Sequence, residues 1–313
     1  MDSSLNRRQA LSVAAVAALA SSTSLCGSAN ADQPAGGEIR FCLNTSTIRG
    51  QKLSLVEEVE IAGKAGYSGI EPWLREIREY EKQGGDLGDL KKRIKDAGLR
   101  VESAIGFAGW IVDDDEKRAA ALESAKRDME AVRAIGGSRI AAPPVGATRS
   151  DVDLFKAAER YAALLHVGAK VGVTPQLELW GFSQTLHRLG ELLLVGIESA
   201  HPDACLLPDV YHIFKGGSEF DGLKLINGSR IHCFHMNDYP AEPPRAEMRD
   251  ADRVYPGDGV APLKQIISDL HIGGFRGAFS LELFNPTYWG QDAALVARTG
   301  LEKMKQAVSE ALG

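Results

Sequence analysis

The 313-residue chain is predicted to fold as a single (β/α)8 barrel of the α/β class. Three observations carry the prediction. Short apolar runs alternate eight times with longer stretches, several of them plainly amphipathic. Glycines stand where helices should end. The last four apolar runs each carry a charged or imidazole side chain near their C-terminal end, the end at which this fold builds its sites.

The elements follow in order. Ile39–Asn44 is the first strand, and Leu53–Ala65 repeats apolar residues three and four apart before Gly66. Tyr67–Glu71 is the second strand, and Gly98 precedes the third, Leu99–Ala104. Lys117–Ile135 is a helix closed by Gly136, and Ser138–Ala142 is the fourth strand. Helix Val152–Val171 ends at Gly172 and leads into the fifth strand, Val173–Trp180. Ala204–Asp209, Arg230–Met236 and, after Gly274, Gly277–Phe284 complete the eight, with Ala293–Leu312 as the final helix. Parallel strands joined by helical crossovers are the expected arrangement. A doubly wound sheet would leave strands unused, and no Gly-x-Gly-x-x-Gly follows the first strand, so a dinucleotide fold lacks its fingerprint.

Residues 1–31 read as a signal peptide. Arg7 and Arg8 precede the uncharged apolar run Ala10–Ala20, which is too short to span a bilayer. Ala29-Asn30-Ala31 has the form of a cleavage site. The paired arginines point to the twin-arginine route, hence to transient contact with export machinery and a periplasmic destination after cleavage near Ala31. Residues 32–38 form a linker, and 39–313 the catalytic barrel. Cys26 falls in the signal, where Leu25 argues against lipidation; Cys42, Cys205 and Cys233 read as buried thiols, with a Cys205–Cys233 bridge unsupported. The net charge of −6 argues against nucleic acid as a partner class.

Strands of a parallel barrel should be apolar on both faces. The fifth instead reads Gln176-Leu177-Glu178-Leu179-Trp180, the sixth ends Pro208-Asp209, the seventh contains Phe234-His235-Met236, and the eighth Leu281-Glu282-Leu283. Burying a lone carboxylate costs several kcal/mol unless it is paired or bound to a cation. No Lys or Arg lies within these strand ends. Glu178, Asp209, His235 and Glu282 are therefore candidate ligands of one divalent metal. Three carboxylates with one imidazole favour Mn²⁺, with Zn²⁺ and Mg²⁺ as competitors. The alternative is separate salt bridges to loop cations.

Taken with Gly69-Ile70-Glu71, Asp209-Val210-Tyr211-His212, Arg253-Val254-Tyr255-Pro256-Gly257-Asp258-Gly259 and Glu282-Leu283-Phe284-Asn285-Pro286, the chain resembles the xylose isomerase-like barrels, the sugar phosphate isomerase/epimerase family. Within it the likeness is greatest to the keto-inositol (inosose) isomerases. The resemblance implies that Glu178, Asp209, His235 and Glu282 hold the metal, and that Glu178 and Glu282 are the paired acid/base carboxylates. It also implies that His212 and Arg253 hold substrate oxygens, and that the protein forms a homo-oligomer as relatives often do. Glu71 at the mouth of the second strand is a further substrate-binding candidate. Trp73, Phe107, Trp110, Trp180 and Trp289 are candidate walls of a sugar pocket, Trp180 and Trp110 foremost. His166, His187, His201, His232 and His271 read as structural.

The expected activity is isomerisation or epimerisation of an unphosphorylated sugar or keto-inositol through α-proton abstraction and an enediolate. No Gly-rich phosphate cradle lies among the loops. The main alternative is a lyase of the same family, dehydrating an inosose or eliminating from a keto-glycoside; a non-catalytic periplasmic sugar-binding protein is a second. A metal-dependent DNA-repair nuclease is disfavoured, since no His precedes His166.

Overall fold

The computed structural model describes residues 39–313. The expected signal peptide and linker lie outside the described residues. The first unit runs β1 (Arg40–Asn44), a 3-10 turn (Thr45–Gln51), α1 (Leu55–Ala65) and β2 (Gly69–Glu71). Ser54 caps α1 reciprocally with Glu57, and Gly66 ends it at φ 93°, a left-handed conformation that costs glycine little. Two short helices follow, α2 (Leu74–Lys82) and α3 (Leu87–Asp96), where the barrel pattern asks for one. Then come β3 (Arg100–Val101), α4 (Asp115–Ala134), β4 (Arg139–Ala142), α5 (Leu154–Val171) and β5 (Thr174–Glu178). The last units are α6 (Leu189–Glu198), β6 (Leu206–Leu207), α7 (Val210–Lys215), β7 (Cys233–Met236), α8 (Leu263–Ile272), β8 (Ala278–Leu281), α9 (Pro286–Trp289) and α10 (Ala293–Leu312).

All paired strands are parallel, and β1 pairs with both β2 and β8. Laddered order is β3-β2-β1-β8-β7 and β4-β5-β6. The two arcs join through the Ala141 N–H, which donates to the Ala104 carbonyl at 2.8 Å, and through the Leu206–Ile231 and Asp209–His235 bridges. The barrel thus closes, as the alternation requires.

Side chains alternate along each strand. Leu43, Leu177, Phe234, Met236, Phe279 and Leu281 join the main buried core. The intervening positions Cys42, Asn44, Gln176, Glu178, Cys233, His235 and Ser280 are buried as well, so they fill the lumen. This alternation is why the last strands are not continuously greasy: the lumen is polar. Lower down, Glu102 pairs with Arg40 at 2.7 Å, and Gly69 leaves the room, since a Cβ there would sit 2.5 Å from Glu102 Cγ.

Cys42, Cys205 and Cys233 are buried free thiols, and burial pushes Cys205 up to about 12. Among the described residues no helix is long and apolar enough to cross a membrane.

Candidate active site

Six strand-end residues meet at the C-terminal mouth: Asn44, Glu71, Glu178, Asp209, His235 and Glu282, all buried. Strand register sets their level, with Asn44 opposite Glu71 and Asp209 bridged to His235. Asp209 is further fixed as the N-cap of α7, accepting the His212 N–H at 2.7 Å.

His235 lies between two sets of carboxylates. Its Nε2 is 3.1 Å from Glu71 Oε2, which also accepts from Ser280 Oγ at 2.7 Å and from Asn44 Nδ2 at 2.9 Å. Its Nδ1 is buried without a hydrogen-bond partner, 3.3 Å from Glu282 Oε2 and 3.7 Å from Asp209 Oδ2. Burial alone would lower the His235 pKa; Glu282 and Glu71 outweigh it and hold it well above the ordinary imidazole range.

Ligand atoms of Asp209, His235 and Glu282 lie within 4.8 Å of one another. Glu178 lines the same cavity outside that trio, and its buried Oε2 also lacks a partner. Two buried polar atoms without partners, His235 Nδ1 and Glu178 Oε2, beside the Asp209 and Glu282 carboxylates are a donor set that fits a divalent ion. Glu71 fits the outer role, since a metal-binding imidazole usually gives its other N–H to a carboxylate.

Arg253 corrects one expectation. No cation lies within the strand ends, but the loop after β7 brings this guanidinium, almost fully buried, into the cluster. Its Nη1 donates to Asp209 Oδ2 at 3.0 Å and to Glu282 Oε2 at 2.8 Å. Its Nη2 donates to His212 Nε2 at 3.0 Å and to Asp250. The loop cation of the alternative reading is therefore present for two of the carboxylates, while Glu178 Oε2 and His235 Nδ1 have no hydrogen-bond partner. Burial and the nearby Arg253 both lower the His212 pKa.

The acidic residues are biased apart. Desolvation pushes Glu178 up to about 8. Burial would also raise Glu282, but His235 and Arg253 prevail and hold it below the ordinary carboxylate value.

A cavity of about 370 Å³ opens above the cluster. Trp73, Phe107, Trp180 and Trp289 line it, together with Glu178, His212, Arg253 and Glu282. Trp110 does not: it is fully buried against Tyr161 and donates its indole N–H to the Pro143 carbonyl, so its expected place in the pocket wall is corrected. Glu71 is likewise corrected from substrate contact to positioning, because it is completely buried and turned to His235. Arg49, Phe182, Asp250 and Phe284 also line the cavity and went unrecognised in the sequence. Their place in loops after strands was the available signal.

A sequence profile of xylose isomerase-like TIM barrels matches residues 59–307. An inosose isomerase of Bacillus velezensis is 26% identical over 277 residues, 87% of this chain and 98% of the relative. A 3-dehydroshikimate dehydratase of Pseudomonas aeruginosa is 24% identical over 265 residues, covering 80% of this chain but 39% of that protein. Among solved structures, the IolI protein with a bound zinc atom superposes with TM-score 0.81 at 23% identity, over 88% of this chain and all of its own. That last likeness supports the fold.

Proposed function

The chain belongs to the xylose isomerase-like TIM barrel family, and from that premise we propose that it is a metal-dependent isomerase or epimerase of an unphosphorylated sugar or keto-inositol. One observation carries the reading. Glu178 and Glu282 are buried carboxyls that line one cavity beside the Asp209–His235–Glu282 cluster. Such a pair suits acid/base work, one group able to hold a proton while the other accepts one.

In this reading the two carboxyls remove the proton α to a carbonyl and return it on the neighbouring carbon or the opposite face. Arg253 and His212, paired with each other at the cavity wall, face the substrate's oxygens there. Trp73, Phe107, Trp180 and Trp289 cover the C–H faces of the sugar and limit water. A divalent ion held by Asp209, His235, Glu282 and Glu178 would polarise the carbonyl and offset the charge that develops on its oxygen, with Mn²⁺ preferred over Zn²⁺ and Mg²⁺. The inosose isomerase relatives support the reaction class.

The dehydratase relatives favour a second reading, in which the same proton abstraction expels a leaving group from the next carbon. Proton exchange in D₂O, followed by NMR with keto-inositol, ketohexoses and 3-keto-glucosides, separates the two. Deuterium entering α to the carbonyl with all substituents retained supports the isomerase or epimerase. Exchange with loss of water or aglycone supports the lyase. No exchange with metal-loaded protein overturns both.

Export rests on the N-terminal pattern of Arg7-Arg8, the apolar run and Ala29-Asn30-Ala31. Cell fractionation tests it: mature chain in the periplasm supports export, and full-length chain confined to the cytoplasm contradicts it.

A further inference from the structure

Arg49 lies on the 3-10 turn that follows β1, and its guanidinium lines the cavity. Three rings surround it, Trp73 at 5.0 Å, Trp289 at 5.1 Å and Phe284 at 5.2 Å from the guanidinium carbon. With no described residue does this side chain make an ion pair or a hydrogen bond. Two other arginines set the contrast. Arg75 also lies over Trp73, at 4.6 Å, but is half exposed, pairs with Glu76 at 3.4 Å and is not part of the cavity lining. Arg253 lines the cavity, but its charge is paired with Asp209, Asp250 and Glu282 through Nη1 and Nη2, and only its buried Nε lacks a partner. Among the described arginines that line the cavity, Arg49 is therefore the one whose guanidinium is paired with no carboxylate.

We propose that Arg49 determines substrate specificity by receiving a carboxylate, so that the substrate is an acidic polyhydroxy ketone. The assignment rests on the proposed reaction only for placing the carbonyl end of that substrate at the His235–Glu282 cluster. A guanidinium fork matches a carboxylate with two parallel hydrogen bonds, and rings that shield it from water strengthen the pairing. Desolvation, and Arg75 after it, lower the Arg49 pKa against the pull of Glu76, Glu282 and Asp250. The reach is suitable. Phe284 lies 5.0 Å from the Arg253 guanidinium and 5.2 Å from that of Arg49, so the two are at most about 10 Å apart. A six-carbon acid spans that distance. A phosphate is a poorer fit, because the loops offer one open guanidinium and no Gly-rich cradle of backbone donors.

The test compares D-fructuronate with D-fructose, which share a skeleton and a C2 ketone and differ in the carboxylate at C6. Binding to Mn²⁺-loaded full-length protein is read by tryptophan fluorescence, and proton exchange by NMR in D₂O. The wild type should bind the acid tighter by about thirtyfold or more. In Arg49→Leu that ratio should collapse to near unity, in Arg49→Lys it should survive in part, and in Arg75→Leu it should persist. Circular dichroism and the Lys variant guard against a folding artefact. Equal affinity of the wild type for the two sugars overturns the assignment, as does an Arg49→Leu variant that weakens both by one factor. An Arg49-dependent preference without deuterium incorporation keeps the carboxylate assignment and removes the isomerase reading. Incorporation from both sugars alike, indifferent to Arg49, does the reverse.

Discussion

Glu71 and His235 form a buried pair at 3.1 Å, and the pair turns the other imidazole nitrogen toward Asp209 and Glu282. Ser280 and Asn44 fix the carboxylate that does this. Glu71 thereby positions a candidate metal ligand without lining the cavity itself.

Removing that anchor should loosen the metal while leaving the barrel folded. Glu71→Gln is expected to weaken Mn²⁺ or Zn²⁺ binding by about 10–100-fold, the usual cost of losing a partner that orients a ligand. Isothermal titration with each metal measures it. Wild-type affinity in the variant would mean that His235 is held by other means.

The acid/base pair makes a kinetic prediction. Glu178→Gln and Glu282→Gln each keep shape and remove a proton carrier, so each should lower kcat by about 10²–10⁴-fold or more. Steady-state assays and deuterium wash-in report it. Near-normal turnover in both variants would sink the mechanism.

A stability prediction comes from Gly69. A methyl group there meets Glu102, which cannot easily retreat because Arg40 holds both of its oxygens. Gly69→Ala should cost about 1–3 kcal/mol, the typical price of overpacking. Urea denaturation gives the value, and unchanged stability would show that the lumen floor yields.

Glu58 on α1 provides a pH dependence. It is buried, its Oε2 has no partner, and desolvation, aided by Glu76, raises its pKa to about 9. A carboxyl whose folded pKa exceeds its unfolded value contributes its full stability below the unfolded pKa, here 4.5. That contribution is lost as pH rises toward 9. Glu58→Gln should therefore stabilise the protein at pH 8 by about 1–3 kcal/mol, with a smaller gain at pH 5. Thermal melts at the two pH values check it. A gain independent of pH would place the effect elsewhere.

Much of this site was legible because charge stands out in a strand. Glu178, Asp209, His235 and Glu282 were recognisable as anomalies at strand ends, and parallel register sufficed to bring them to one mouth. Arg253 was marked by its motif, but its pairing with Asp209 and Glu282 depends on the path of a loop, which no periodicity records. Trp110 shows the same limit from the other side, since an aromatic residue beyond a strand can turn into the helix layer as readily as into the cavity. Arg49 was missed because nothing in a single arginine after a strand announces the three rings, drawn from the segments after β1's neighbours β2 and β8, that enclose it.

The most direct test is anomalous diffraction from crystals grown with Mn²⁺, collected to locate the ion. The account predicts one strong peak bonded to His235 Nδ1 and to carboxylate oxygens of Asp209 and Glu282, with Glu178 completing the set. A metal peak elsewhere, or none at saturating Mn²⁺ with Arg253 still seated on Asp209 and Glu282, would contradict it.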